Sequence, residues 1–343
     1  MIKNPSSETQ YVYLVYAPEL VHWSAGIKVL HKLHKGINDA GFESYLINHG
    51  KTTFQKRIQT YNLIKSLNKR TNTIFTAIYP EPIPGNPIGV QKQIRWILNT
   101  PGLLGGVNKF TDATIWSYSQ KLADQYQMLA SEKTEVLFIP GLDLEEFDEI
   151  TSTIADESSP KYKLVYAQKF RALGGIPTLN GSEIKEITRF NANSSNREET
   201  LSLIKNAEEL HVFENTTVIT EAQLLGTPVY CHRNFGFEFL IAESELGSEG
   251  VTWSFDSTPA SDPRLVRERI QFHNENFKFV IKDLLTKYEA QNEFQGLVKI
   301  SYNPFTASFK HKLSRLLALI QTKGMRTSLR LIKLYLLRIL NRN

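Results

Sequence analysis

The sequence predicts an α/β protein of two doubly wound halves, and three observations carry the prediction. At 343 residues the chain is long enough for two domains of ordinary size. Each half opens in the same way, with a strand-length apolar run, a glycine-bearing loop and a helical stretch. No repeat of solenoid length competes with that reading.

The first half begins with Tyr11–Ala17, an aromatic and β-branched run that reads as a buried strand. A loop with Pro18, Ser24 and Gly26 leads to Ile27–Ala40, where Ile27, Leu30, Leu33, His34 and Ile37 recur at helical spacing. Gly41 ends it, and Phe42–Ile47 is the next strand. A helix over Tyr61–Leu67, a strand over Thr73–Tyr79 and a Pro-rich loop over Pro80–Pro87 follow. Val90–Leu98 fits a helix, Ala113–Ser117 a strand and Val136–Ile139 a short closing strand. The polar stretch Thr151–Lys161 has the composition of a linker.

The second half restarts with a strand at Lys163–Ala167 and a glycine pair at Gly174–Gly175. Strands are expected over Glu186–Arg189, Leu210–Phe213 and Thr227–Cys231, with helices over Arg197–Asn206, Val218–Leu225 and Leu265–Tyr288. The expected domains are 1–150, 151–305 and a basic helical tail over 306–343. Ligands of such sheets bind at the carboxyl ends of the strands, which places the expected site in a cleft faced by both halves.

Composition excludes several classes. With 41% hydrophobic and 22% charged residues, the chain is globular rather than disordered or fibrous. Cys231 is the lone cysteine, so intramolecular disulfides and cysteine-based zinc sites are out, and a reducing cytoplasm is expected. Met1–Gln10 is polar and lacks a signal-peptide core, and no apolar run approaches the ~18 residues of a spanning helix. The N-x-S/T triplets at Asn180, Asn193 and Asn215 are therefore read as coincidences. No GxxxxGKS/T loop, HExxH pair or GxSxG elbow is present.

The strongest local signal is Phe213–Val229, FENTTVITEAQLLGTPV. A strand ends there, and Glu214, Asn215, Thr216 and Thr217 stand at a helix entrance. Such residues cap free N–H groups, and the same groups with the helix dipole can hold a phosphate. Glu221 lies seven residues after Glu214, a spacing that puts two carboxylates on one helix face, suited to accepting from ribose or sugar hydroxyls. The bland reading is a capped helix with a solvated acidic face. A second constellation is Tyr166–Gly175, YAQKFRALGG, where Lys169 and Arg171 could neutralise a diphosphate, or simply be solvated. A third is Glu19–Gly26, ELVHWSAG, with Glu19, His22 and a small-residue approach at Gly26. The Pro- and Gly-dense segment Tyr79–Gly106 argues for a shaped, rigid loop, with Arg95 and Trp96 as packing and surface. The pair Asp143 and Glu145 is a weak mimic of a metal-binding D-x-D, so no metal is expected.

Together these segments resemble the GT-B glycosyltransferases. Tyr13–Gly41 is similar to their opening strand, loop and helix, with Ser24-Ala25-Gly26-Ile27 where the family has S-G-G-I. Tyr79–Gly106 resembles a "yPE…GNP…vRWlLn.PG" stretch of bacterial enzymes that build surface polysaccharides. Ile139–Phe147 resembles the segment entering the donor domain, and Glu186–Val229 resembles "EITR…NT…tEA.L.GtPV". The resemblance covers most of residues 11 to 235. It implies two Rossmann-like domains facing a cleft, and transfer of a sugar from a nucleoside-diphosphate sugar with no separate cofactor and no bound metal. It assigns Glu214–Thr217 to the diphosphate and sugar, Glu221 to the ribose, and Lys169 and Arg171 to the donor phosphates. Retaining members carry E-x7-E; here Glu214 and Glu221 are E-x6-E and Phe213 takes the other position, so the stereochemistry stays open. Inversion would need a base, for which His22 and Glu19 are the candidates. A GT-B-shaped scaffold without catalysis and a nucleotide-sugar epimerase are the competing functions.

Charge is concentrated at the end. From Lys310 to Asn343 there are nine Lys or Arg and no Asp or Glu, against a formal +5 for the whole chain. Met325–Leu340 interleaves Arg326, Arg330, Lys333 and Arg338 with Leu and Ile, a pattern that suits a helix lying on an anionic membrane over 325–342. Docking of this helix on the protein is the alternative, and nucleic acid is not expected. The expected location is the cytoplasm, peripheral at the inner face of the membrane, with a glycan or lipid-linked acceptor.

Overall fold

The structure, a computed structural model, describes residues 9–307 except 22–23, 51, 156–161, 180–182, 188–196, 295 and 297. In chain order the elements are β1 (Gln10–Pro18), α1 (Ala25–Asp39), β2 (Glu43–His49), α2 (Phe54–Leu67), β3 (Thr73–Pro80), β4 (Lys92–Ile97), β5 (Thr114–Ser117), α3 (Gln120–Ala130), β6 (Glu135–Val136) and α4 (Leu144–Thr153). There follow β7 (Lys163–Tyr166), α5 (Gln168–Ala172), β8 (Ile184–Glu186), α6 (Arg197–Lys205), β9 (Glu209–Val212), α7 (Val218–Leu225), β10 (Val229–Cys231), α8 (Glu243–Leu246), β11 (Val251–Thr252) and α9 (Pro263–Gln291). The α/β class holds: the strands form two wholly parallel sheets, with helices between most successive strands and loops alone joining β3, β4 and β5.

Two compact units divide the described chain. The first is built from residues up to Leu20, Gly26–Ile139 and the chain from Glu275 onward; the second from Val21–Ala25 and Pro140–Asn274. In the first, the sheet order is β2-β1-β3-β4-β5-β6. Strand β1 explains its own apolar run. Tyr13, Val15 and Ala17 enter a core layer with Leu30 and Leu33 of α1 and Ile281, Leu284 and Leu285 of α9. The alternate residues Val12, Leu14 and Tyr16 enter the opposite layer with Ile64 and Leu67 of α2 and with Ile300 and Tyr302. A parallel strand covered on both faces loses the apolar–polar alternation of a half-exposed one. Helices α1 and α9 approach closely at Gly36, where a Cβ would stand 2.6 Å from Cε2 of Phe277 and 2.8 Å from Cδ1 of Ile281.

In the second unit the order is β11-β10-β9-β7-β8. Helix α4 is capped by Asp143, whose carboxylate accepts from the amides of Glu145 at 3.1 Å and Glu146 at 3.3 Å, so this residue has a local structural task. Helix α7 stops at Gly226, in the left-handed region at φ 77°, and the amide of Thr227 reaches back to the carbonyl of Ala222 at 2.9 Å.

Two sequence expectations are corrected, and one helix was not expected. Val90–Leu98 is not helical: its centre is β4, paired with β3 and β5. Val90, Ile94 and Ile97 happen to fall at helical spacing. The strand buries Ile94, Arg95, Trp96 and Ile97 on both faces, so Arg95 is not a surface residue. Second, the expected linker Thr151–Lys161 starts too early, because Thr151–Thr153 form the last turn of α4. Helix α3, capped by the amide of Leu122 donating to Oγ of Ser119 at 3.3 Å, has no counterpart in the sequence pattern. The tail over 306–343 lies outside the described residues from 308 onward.

Candidate functional site

The second unit's strand order reverses between β7 and β9: the chain leaves β7 for β8 on one side and then returns to β9 on the other. Loops leaving the carboxyl ends of two such strands diverge, and that opening is where open α/β sheets bind ligands. Tyr166 and Val212 stand side by side as the last residues of these strands, and the amide of Phe213 extends the pairing to the carbonyl of Tyr166 at 3.1 Å. The short helix α5 after β7 carries Lys169; the loop after β9 carries Glu214–Thr217.

Glu214 is buried, and it serves the neighbouring loop. Helix α5 has no side-chain cap of its own, and the Glu214 carboxylate accepts from the backbone amides of Lys169 and, at 3.1 Å, Phe170. Lys169 returns across the same gap: its Nζ donates to the carbonyl of Asn215 and stands 3.6 Å from Oε1 of Glu214. Ring stacking supports the pair of loops, with Phe170 on Phe213 at 5.3 Å and Phe213 on His232 at 4.1 Å. Gly175 is needed here, because a Cβ would lie 2.4 Å from the Phe170 ring.

The entrance to α7 differs from the expected cap. Asn215 turns away from the helix: its Nδ2 donates to the carbonyl of Phe239 at 3.0 Å and its Oδ1 accepts from the amide of Ile241 at 2.9 Å. Thr216 Oγ1 accepts from the amide of Val218 at 3.3 Å, while Thr217, the N-cap residue, makes no side-chain cap. Glu221 is buried in α7 beside Arg197, whose Nη1 is 3.1 Å from its Oε1; Nε of the same guanidinium is 3.3 Å from Glu146. The expectation that Glu214 and Glu221 share one helix face is overturned, because α7 begins only at Val218 and Glu214 is turned toward α5. Arg171, the other expected phosphate ligand, is held on the surface by a bidentate pair with Glu186, both bonds 2.8 Å. The structure thus brings together Lys169, Glu214 and the α7 entrance, and leaves Arg171 aside.

A further cluster runs from the start of β7 and β9 to His232, just after β10. Lys163 Nζ is 2.5 Å from Glu209, Glu209 is 2.8 Å from Nε2 of His211, and Nδ1 of His211 is 2.9 Å from Nε2 of His232. Ion pairing and hydrogen bonds hold Glu209 below the usual carboxylate range against its burial. An ionised carboxylate only accepts, so His211 carries its proton on Nε2 and accepts from His232 through Nδ1. Burial pushes His211 down, and burial followed by the neighbouring His211 pushes His232 down to about 4. Cys231 beside them is buried, its thiol pushed up to about 12. The histidine string is missed by sequence reasoning; its signal is the alternation Glu209, His211, Phe213 along one strand face.

The first unit repeats the reversal between β1 and β3. After β1, Glu19 is ion-paired to Lys56 at 3.2 Å, and nothing lies within 4 Å of where a Cβ on Gly26 would stand, in the first turn of α1. His22 lies outside the described residues. After β3, Glu81 is buried and accepts from the amide of Leu98 at 2.9 Å. The loop beyond it is held by side-chain hydrogen bonds. Arg95 donates to the carbonyls of Ile83 and Gly85, and Tyr79 donates to Asn86 at 2.8 Å while accepting from the amide of Ile88 at 2.9 Å. Burial lowers Arg95 to about 10.

Among the described residues no three His, Cys, Asp or Glu side chains are grouped to hold a metal ion, and no helix is long and apolar enough to cross a membrane. No family model matches the chain. No curated protein matches it either. Solved structures do. The UDP-GlcNAc 2-epimerase from Methanocaldococcus jannaschii is similar at 9% identity over 89% of this chain and 99% of its own, with a TM-score of 0.38. The N-terminal domain of Candida albicans trehalose-6-phosphate phosphatase is similar at 9% identity over 85% and 99%, with a TM-score of 0.37. An alpha-glucosyltransferase in complex with UDP and a 13-mer DNA is similar at 10% identity over 89% and 95%, with a TM-score of 0.36. Likenesses this low carry no inference to this chain, and the fold class rests on the two parallel sheets themselves.

Proposed function

We propose that the chain is a GT-B glycosyltransferase that moves a sugar from a nucleoside-diphosphate sugar to a glycan or lipid-linked acceptor in surface-polysaccharide synthesis. The first unit, expected over 1–150 and built mainly from Gly26–Ile139, serves the acceptor, and the second, expected over 151–305 and built mainly from Pro140–Asn274, serves the donor. One observation carries the reading: the strand-order reversal between β7 and β9 gathers a lysine, a helix entrance and a buried carboxylate at one sheet edge. The chemistry of that set suits a nucleoside diphosphate. Lys169 and the amides at the start of α7 offer positive charge to the diphosphate. Glu221, fixed by Arg197, offers acceptor oxygens to ribose hydroxyls.

In the reaction the anomeric C–O bond to the diphosphate breaks and a bond to the acceptor oxygen forms. The acceptor proton passes to a base, for which His22 and Glu19 are the candidates, or to the departing diphosphate. No separate cofactor or metal enters this scheme. The chain works at the inner face of the cell membrane, held there by 325–342, and binds no nucleic acid.

Calorimetry with UDP-, GDP- and dTDP-sugars tests the reading. One nucleotide class should bind, and Lys169→Ala and Glu221→Ala should each weaken it about tenfold or more, the loss of one charge-assisted contact. Folded protein that binds none of them would sink it.

A further inference from the structure

We infer that the outer face of α2 is a membrane-contact surface for anionic lipid. The inference rests on the membrane location proposed above and uses residues apart from the nucleotide site. Phe54, Tyr61 and Phe305 are 68%, 46% and 43% exposed, yet they are not scattered. The Phe305 ring lies 5.9 Å from Phe54 and 6.3 Å from Tyr61, so the three form one apolar patch. Single exposed apolar residues are ordinary; a contiguous group marks a contact surface. The other side of the same helix, through Ile64 and Leu67, is already committed to the core.

The charge around the patch is one-sided. Residues 44–80 contain six Lys or Arg and no Asp or Glu. Lys56 and Arg70 are paired, to Glu19 and Glu43 respectively, whereas Lys65 and Lys69 stand exposed on and just after α2. Phe305 belongs to a second acid-free run: from Phe294 to Asn343 the sequence has ten Lys or Arg and no Asp or Glu. The contact of Phe305 with Phe54 and Tyr61 thus joins two segments whose sequences are both basic and acid-free. Cations around an apolar centre match anionic headgroups over acyl chains. Nucleic acid fits less well. The rings touch one another at tilts of 58° and 60°, which leaves no slot for a base, and a polyphosphate would use the cations alone.

The test is sedimentation of the full chain with vesicles of phosphatidylcholine alone or mixed with phosphatidylglycerol. The wild type should bind the anionic vesicles and scarcely the neutral ones. Phe54→Ser with Phe305→Ser should weaken partitioning about tenfold, and Lys65→Gln with Lys69→Gln about fivefold per charge. These positions are exposed, so melting and nucleotide-sugar binding should stay unchanged. A third variant, Arg326→Gln, Arg330→Gln, Lys333→Gln and Arg338→Gln, separates the tail from the patch. Release by the patch variants with the tail variant still bound would uphold this surface and sink the tail as anchor. Release by the tail variant alone would overturn this surface, and release by both would uphold it. Failure of the wild type to bind anionic vesicles would overturn it, as would capture of duplex DNA or single-stranded RNA instead.

Discussion

Glu214 caps a helix that begins 46 residues before it: its carboxylate accepts the amide of Phe170 at 3.1 Å, together with that of Lys169. One side chain thus ties the loop after β7 to the loop after β9. Glu214→Ala should leave both amides without a partner and cost about 1–3 kcal/mol, read as a lower thermal midpoint. Glu214→Gln keeps an acceptor oxygen and should recover most of the loss. An alanine variant that melts like the wild type would remove the capping role.

Arg197 stands between Glu221 and Glu146. Removing the guanidinium takes an ion-pair partner from the buried Glu221 carboxylate, so Arg197→Met should destabilise the fold by about 1–3 kcal/mol, measured by denaturant midpoint. Adding Glu221→Leu should restore part of the stability, because the buried carboxylate that lost its ion pair is then gone. A double variant less stable than Arg197→Met would contradict this.

Gly36 is a contact residue between two helices. Alanine is the better helix former by about 1 kcal/mol, yet its methyl group would meet Phe277 and Ile281. Gly36→Ala should therefore destabilise, by about 1–3 kcal/mol for an overpacked core. A net gain in thermal midpoint would show that the side chains yield.

His232 gives the fold a pH dependence. In the fold it titrates near 4, against an ordinary 6.5, so between those values the unfolded chain binds the extra proton. Stability from this group is complete above about pH 6.5 and falls as the pH drops toward 4. The groups around it are Glu209 and His211 on β9, Lys163 on β7 and Arg233 next in sequence. Allowing for its partial exposure, the loss should be on the order of 1 kcal/mol, or about 2–4 °C. His232→Asn should flatten the slope of thermal midpoint against pH over this window; an unchanged slope would assign it to other groups.

The parallel architecture was legible because buried strands such as β1 and helix-period runs such as α1 and α7 obey simple periodicities. Strand β4 was not, for a reason Arg95 makes plain. Its guanidinium is buried among the carbonyls of the loop that follows β3, and a charged residue in a short run suggests a solvent face. The candidate site was legible as a pair of loops, but not in its internal wiring. Spacing along one segment cannot reveal that Glu214 answers to α5, that Asn215 pins the loop at Phe239–Ile241, or that Arg171 is taken by Glu186. Those are tertiary choices between polar groups that local sequence leaves equivalent.

The composition of the first unit's core has a consequence for the order of events during synthesis. Strand β1 is made first, yet Tyr13 donates to Glu289 at 2.8 Å, and its layers are closed by Ile281, Leu285, Ile300 and Tyr302. The second unit's sheet, by contrast, comes from one continuous stretch and has all its strands by Thr252. On the ribosome the later unit can therefore finish folding before the earlier one, whose β1 must wait for α9 with its apolar faces only partly covered by α1 and α2. A nascent chain with residues up to about 270 clear of the ribosome should hold a protease-resistant second sheet beside a first sheet that is still cleaved and still recruits chaperones.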